Sequence, residues 1–145
     1  RVVNETGDQP FGRGGVDRHT RGLESEDEAW PMLQERGFAR IDPGTMSVRD
    51  QIDHFAAADV IVGLHGGALT NLVFAQPGVK VLEVFAPTYV KHCFWAITDS
   101  IEGAEYRYLV ADRPPTAPED WLTSIQDDID LDAQTLVRAV DDLLG

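Results

Sequence analysis

Apolar and polar positions along this chain change period several times, and each change marks an element. Two runs, Val60-Ile61-Val62-Gly63-Leu64 and Val79-Lys80-Val81-Leu82-Glu83-Val84, are short, β-branched and almost wholly apolar, the pattern of strands buried on both faces. Phe38-Ala39-Arg40-Ile41 and Tyr106-Arg107-Tyr108-Leu109-Val110 read as two further strands, and Val2-Val3 as a strand remnant. Between them the period lengthens. Val48, Ile52, Phe55 and Ala56 fall on one face of a helix that Ser47 caps, and Val90, Cys93, Phe94, Ile97 and Ile101 fall on one face of another. Ala133, Leu136, Val137, Val140, Leu143 and Leu144 trace an amphipathic helix at the C-terminus. Ser25 with Glu28 forms a capping-box pattern for a helix running to Arg36 and stopped by Gly37, although Pro31 favours a start near Trp30.

Strands alternating with helices predict an α/β fold, a Rossmann-like parallel sheet with flanking helices and right-handed crossovers. Residues 1–24, with scattered glycines and charges and no apolar period, read as a loop or partial N-terminal segment. Residues 25–112 form the Rossmann-like unit, 113–120 a connection interrupted by Pro114, Pro115 and Pro118, and 121–145 a C-terminal helical segment. Fourteen residues separate the two apolar strands, room for one short crossover helix.

Composition narrows the partners. Twelve basic residues against 25 acidic ones give a net charge of −13, which excludes a nucleic-acid backbone or an anionic membrane as the natural target. Cys93 is the only cysteine, so no internal disulfide can form, and its thiol is expected in the core. No apolar segment reaches the length of a membrane span, and no signal peptide is visible. The chain begins with Arg1 rather than Met, so a processed or truncated polypeptide, with a partner domain missing, is expected.

The candidate chemistry lies at the end of the first apolar strand, in His65-Gly66-Gly67-Ala68-Leu69-Thr70-Asn71. A parallel strand that ends in small residues and then turns into a helix brings backbone N–H groups and a positive helix end to an anion. Gly66, Gly67 and Ala68 remove side-chain bulk, and Thr70 and Asn71 add donors. His65 could donate to a phosphate or accept a proton near neutral pH. Glu83, near the carboxyl end of the next strand, has two oxygens suited to both hydroxyls of a ribose. Arg18 and Arg21 could reach a diphosphate. Asp128, Asp130 and Asp132 alternate like an acidic metal motif but precede the last helix, where Asp132 fits a cap, so no metal site is expected. Phe94 and Trp95 read as core, and Trp30 and Trp121 carry no functional signal.

These residues resemble glycosyltransferase family 61, whose C-terminal half carries a strand, a His-Gly-Ala-Gly-Leu-Thr-Asn type loop, a Pro-Gly turn and a strand ending in Glu. The similarity runs through Gln51-Ile52, Phe55, Ala58-Asp59-Val60-Ile61-Val62-Gly63, His65-Gly66, Leu69-Thr70-Asn71-Leu72-Val73-Phe74, Pro77-Gly78, Val81-Leu82-Glu83 and on to Trp95. With Ser25-Glu26-Asp27-Glu28 and Gly37-Phe38 it covers roughly residues 20–110. Two positions depart: the family's Ala-Gly is Gly67-Ala68 here, and its twin-arginine stretch is Arg21-Gly22. The first exchange could move the residue that tolerates positive φ.

The resemblance implies the C-terminal, donor-binding domain of a two-domain GT-B transferase, with an N-terminal domain absent from this chain. It further implies inverting transfer of a sugar from a nucleotide-sugar donor, UDP-linked, to a glycan or glycoprotein acceptor, with no metal or other cofactor. His65, Gly66, Gly67, Ala68, Leu69, Thr70, Asn71, Glu83 and Arg21 are then the nucleotide-sugar-binding residues, with His65 also the candidate catalytic base. Bacterial relatives would work in the cytoplasm and eukaryotic ones in the secretory lumen. An α/β-hydrolase, in which His-Gly-Gly lines an oxyanion hole, would need a Gly-x-Ser-x-Gly elbow, and the chain has none. The alternative is a noncatalytic nucleotide-binding remnant or partner-binding module of the same fold.

Overall fold

The computed structural model describes residues 2–4, 23, 25–112 and 129–145. Five strands form one sheet: β1 (Val2–Asn4), β2 (Ala39–Ile41), β3 (Val60–Leu64), β4 (Lys80–Phe85) and β5 (Glu105–Val110). Every pairing is parallel and the order is β2-β1-β3-β4-β5. The fold is therefore the α/β Rossmann-like architecture that the alternating pattern predicts. Val2–Asn4, a mere remnant in sequence, is an interior strand paired on both sides, so five strands replace the four that the strong apolar runs suggest. The chain leaves β1 toward β2 and later returns to lay β3 on the other side of β1. In such doubly wound sheets, ligands bind beyond the carboxyl ends of the strands at that reversal. The end of β3 lies there.

Successive residues of a strand point to opposite faces, and two cores result. Val60, Val62 and Leu64 of β3 with Leu82 and Val84 of β4 pack against Ala29 and Leu33 of α1 (Glu26–Glu35) and against Leu136, Val140 and Leu143 of α4 (Ala133–Leu144). Ile61, Val79 and Val81 face the other way, onto Phe55 of α2 (Val48–Ala57), Leu69 and Leu72 of the crossover, and Phe94 of α3 (Cys93–Asp99). The odd-numbered face, covered by α2 and α3, carries the candidate chemistry.

Local signals explain most element ends. The Ser47 hydroxyl oxygen accepts from the Asp50 N–H at 3.1 Å and caps α2, as expected. Asp132 caps α4 by accepting from the Thr135 N–H at 2.9 Å and the Thr135 hydroxyl at 3.0 Å, and Lys80 Nζ donates to the Leu143 carbonyl at 2.7 Å near its other end. Gly37, at φ 79°, takes the left-handed position that ends α1, and Gly78, at φ 78°, turns the chain into β4. Three details differ from the sequence pattern. Helix α1 starts at Glu26 and contains Pro31, and Ser25 makes no side-chain cap because its hydroxyl donates to the Leu131 carbonyl. The crossover between β3 and β4 is a 3-10 helix, Gly67–Phe74, not an α-helix. Helix α3 begins only at Cys93, leaving Val90 outside it and half exposed. Arg18 and Arg21, Asp128 and the proline connection lie outside the described residues.

Candidate active site

A glutamate in the middle of an otherwise apolar strand must be satisfied internally, because leaving a buried carboxylate unpaired is costly. Glu83 is fully buried on the odd-numbered face of β4, directly opposite Gly63 of β3. Gly63 has no side chain, so space remains over β3. His65 reaches Glu83 from just past the strand end, where its backbone N–H donates to the Val84 carbonyl at 2.8 Å. The imidazole Nδ1 meets Glu83 Oε1 at 2.5 Å. On the other side, Tyr106 of β5 lies diagonal to Glu83, within the reach of a long side chain, and its hydroxyl donates to Oε2 at 2.5 Å.

The result is a chain of three groups, His65, Glu83 and Tyr106, crossing three strands. A carboxylate only accepts, so Nδ1 carries the proton toward Glu83 and Nε2 is the acceptor nitrogen of the neutral ring. Aromatic rings fix the ring plane: Phe85 stacks on His65 with centroids 4.9 Å apart, and Tyr89 and Phe94 lie at 5.3 and 5.2 Å. His65 is only 8% exposed. Burial first, and the bond to Glu83 next, push the Tyr106 phenol well above its ordinary range, so it stays a donor.

Glu83 therefore has another task than the one its position suggested. Both its oxygens are taken by protein groups and the side chain is inaccessible, so in this structure it offers no oxygen to a ribose. The glycine loop follows immediately. Gly66 has an extended backbone (φ 177°, ψ 171°) that any residue adopts, and Gly67 and Ala68 lie within the 3-10 helix, so the exchange to Gly67-Ala68 displaces no left-handed residue. A Cβ on Gly67 would meet nothing within 4 Å, and one on Gly66 only the Leu64 carbonyl oxygen at 3.8 Å. Folding does not require glycine at either position.

The remaining loop residues divide. Ala68 is half-buried and Thr70 exposed, so both stay at the surface of the loop. Leu69 is fully buried in the core, and its N–H donates to the Gly66 carbonyl at 3.1 Å. Asn71 spends its amide hydrogens on Gln51 Oε1 at 2.9 Å and on the Ala68 carbonyl at 3.1 Å. Gln51 in turn donates to the Pro43 carbonyl at 2.8 Å, so Asn71 braces the loop against α2 instead of facing an anion.

Beyond Phe85 an open cleft of ≈ 410 Å³ runs between the segment leading into α3 and β5, lined by Val90, Lys91, His92, Trp95, Tyr106 and Tyr108. Trp95, expected in the core, is 46% exposed and Tyr108 59%, whereas Phe94 is buried as expected. Cys93 is likewise exposed, since the helix begins there and turns Phe94 and Thr98 inward. Tyr106 and Tyr108 had a sequence signal of their own, two aromatics spaced i, i+2 on one face of a strand.

The Glycosyltransferase 61 family profile matches residues 9–82, just over half of the chain, including β3, the glycine loop and the first part of β4. The chain belongs to this glycosyltransferase family. A Beta-1,2-xylosyltransferase of Arabidopsis thaliana is 35% identical over 83 residues, which are 55% of this chain and 15% of the plant protein. Beta-1,2-xylosyltransferase RCN11 of Oryza sativa subsp. japonica is 38% identical over 61 residues, 42% of this chain and 11% of that protein. The chain thus spans a small part of the length of these relatives. Among the described residues no helix is long and apolar enough to cross a membrane.

Proposed function

We propose that this chain is the donor-binding, C-terminal half of a GT-B glycosyltransferase that moves a sugar from a UDP-linked donor to a glycan or protein acceptor with inversion. The observation that carries this is the placement of an unobstructed glycine pair at the carboxyl end of β3, where the sheet order reverses, beside a histidine held by a buried glutamate. Membership of the Glycosyltransferase 61 family supports it.

In this account, backbone N–H groups at Gly66, Gly67 and Ala68, with the Thr70 hydroxyl and the Arg21 guanidinium, stabilise the charge that grows on the departing diphosphate. The acceptor hydroxyl oxygen forms its new bond to the anomeric carbon as the bond to the diphosphate breaks on the opposite face. A base takes the hydroxyl proton, and His65 Nε2 is the candidate, its tautomer set by Glu83. Glu83 is then a positioning residue. Leu69 and Asn71 shape the loop. The charge is carried by N–H groups and arginine, so no metal is given a role. An N-terminal GT-B domain would complete the acceptor side.

The plant relatives' names make UDP-xylose the natural first donor to test. The full-length gene product, given UDP-xylose and other UDP-sugars with glycan acceptors, should yield a product whose anomeric coupling constant shows inversion. Retention would overturn the mechanism, and nucleotide binding without any transfer would make the chain a noncatalytic nucleotide-binding module.

A further inference from the structure

We infer that the cleft between β5 and the lead-in to α3 is a binding subsite for a neutral saccharide ring, one unit of the acceptor glycan; the inference rests on the glycosyltransferase reading above. Three observations carry it. Trp95, 46% exposed, and Tyr108, 59% exposed, present apolar ring surfaces at the cleft, which Tyr106 and Phe85 also line. Large aromatic side chains left at the surface lose the stabilisation of burial, and such surfaces mark binding sites. A pyranose suits them, because its axial C–H face lies against an aromatic ring while its hydroxyls project to the rim.

The rim supplies polar partners. Lys91 and His92 both line the cleft, and the Lys91 ammonium lies 5.4 Å from the centre of the Tyr89 ring. Among the described lining residues Lys91 is the only formal cation, too little to seat a diphosphate. The cleft is open and ends at β5, the edge strand of the sheet. A ring belonging to a longer chain can therefore lie there while the rest of the glycan runs on.

The position relative to the candidate base also fits. Phe85 lines the cleft and stacks on His65 with centroids 4.9 Å apart, so the cleft and the imidazole have this ring as a common neighbour. Tyr106 lines the cleft and donates to Glu83, so an occupant touches the same hydrogen-bonded chain that orients His65.

The test is a titration of the 15N-labelled chain with mannotriose, xylotriose and chitobiose in one arm and with uridine and UDP in the other. At least one oligosaccharide should move the Trp95 indole resonance, which Trp95→Phe assigns. Tyr108→Ala, a surface change that leaves folding intact, should weaken that oligosaccharide about tenfold while UDP affinity stays within about twofold of the parent. Uridine saturating the Trp95 signal, with no oligosaccharide doing so, would overturn the assignment, as would silence of that signal toward both arms. A chain that binds an oligosaccharide at the cleft but no UDP would refute the donor-domain reading alone.

Discussion

At the scale of single residues, the His65–Glu83–Tyr106 chain makes two statements about substitution and pH. Glu83→Ala would leave the Tyr106 hydroxyl and the His65 Nδ1 without their buried acceptor, at a cost of about 1–3 kcal/mol for each group. The variant should unfold at clearly lower urea than the parent. His65→Ala should lower UDP affinity and also cost stability, since it takes one of two partners from the buried Glu83 and empties the space among Phe85, Tyr89 and Phe94. Equal stability of Glu83→Ala and parent would show that the buried chain is absent in solution. Tyr106 gives an alkaline signature. Its pKa is raised in the folded state above the unfolded value near 10, so its contribution is full below pH 10 and is lost as pH rises through the folded value. Urea midpoints of the parent and Tyr106→Phe, followed from pH 9 to 12, should converge as pH rises. A constant difference would remove Tyr106 from the buried network.

Little of that network was legible in advance, for a physical reason. His65, Glu83 and the glycines stand out in the sequence, but which groups Glu83 faces depends on sheet order. Gly63 clears its space from β3 and Tyr106 reaches it from β5, pairings set by register rather than by neighbours in sequence. A strand-end glutamate near a glycine loop is equally compatible with a ribose contact until burial is known. Likewise Asn71 reads as a donor to a ligand until Gln51, a helix away, takes its amide.

At the scale of elements, local patterns translate well. The buried face of α4 and the cap at Ser47 follow from spacing and side-chain chemistry within a few residues. The Ser25 box fails because Leu131, brought close only by the folded chain, captures its hydroxyl. The crossover forms a 3-10 helix, and its glycines set up a clean separation of folding from binding. Since a Cβ on Gly66 meets only the Leu64 carbonyl oxygen, at 3.8 Å, and the backbone there is extended, Gly66→Ala should leave stability unchanged or raise it by up to about 1 kcal/mol. If the proposed donor site is right, UDP affinity should fall, because the methyl group would crowd the backbone N–H groups offered to a phosphate. Calorimetric melting and UDP titration of the same variant check both halves, and unchanged affinity would move the anion elsewhere. Ser47→Ala should cost about 1 kcal/mol through the lost cap, as urea unfolding reads it, since α2 carries the Gln51 brace and Phe55 of the core. Acid acts on α4. The Asp132 carboxyl is held low by the Thr135 N–H and hydroxyl, and that of Asp141 by Arg36. Their support is present above the ordinary carboxylate range and lost as pH falls through the lowered folded values.

At the scale of the whole molecule, a doubly wound sheet places its reversal between β1 and β3, and the only loop combining a histidine with two unobstructed glycines emerges there among the described residues. The three-residue β1, weak in sequence, creates that reversal. At a net charge of −13 the chain as a whole repels anions, so an anion must be held by local donors such as the loop's backbone N–H groups. The claim that the crevice holds a UDP-linked donor without a metal is tested most directly by titration calorimetry of the chain with UDP in the presence of EDTA, repeated with GDP, CMP and NAD. Saturable UDP binding that survives EDTA and weakens in His65→Ala and Gly66→Ala is the expected result. No saturable UDP binding, or binding that those two variants leave unchanged, would contradict it.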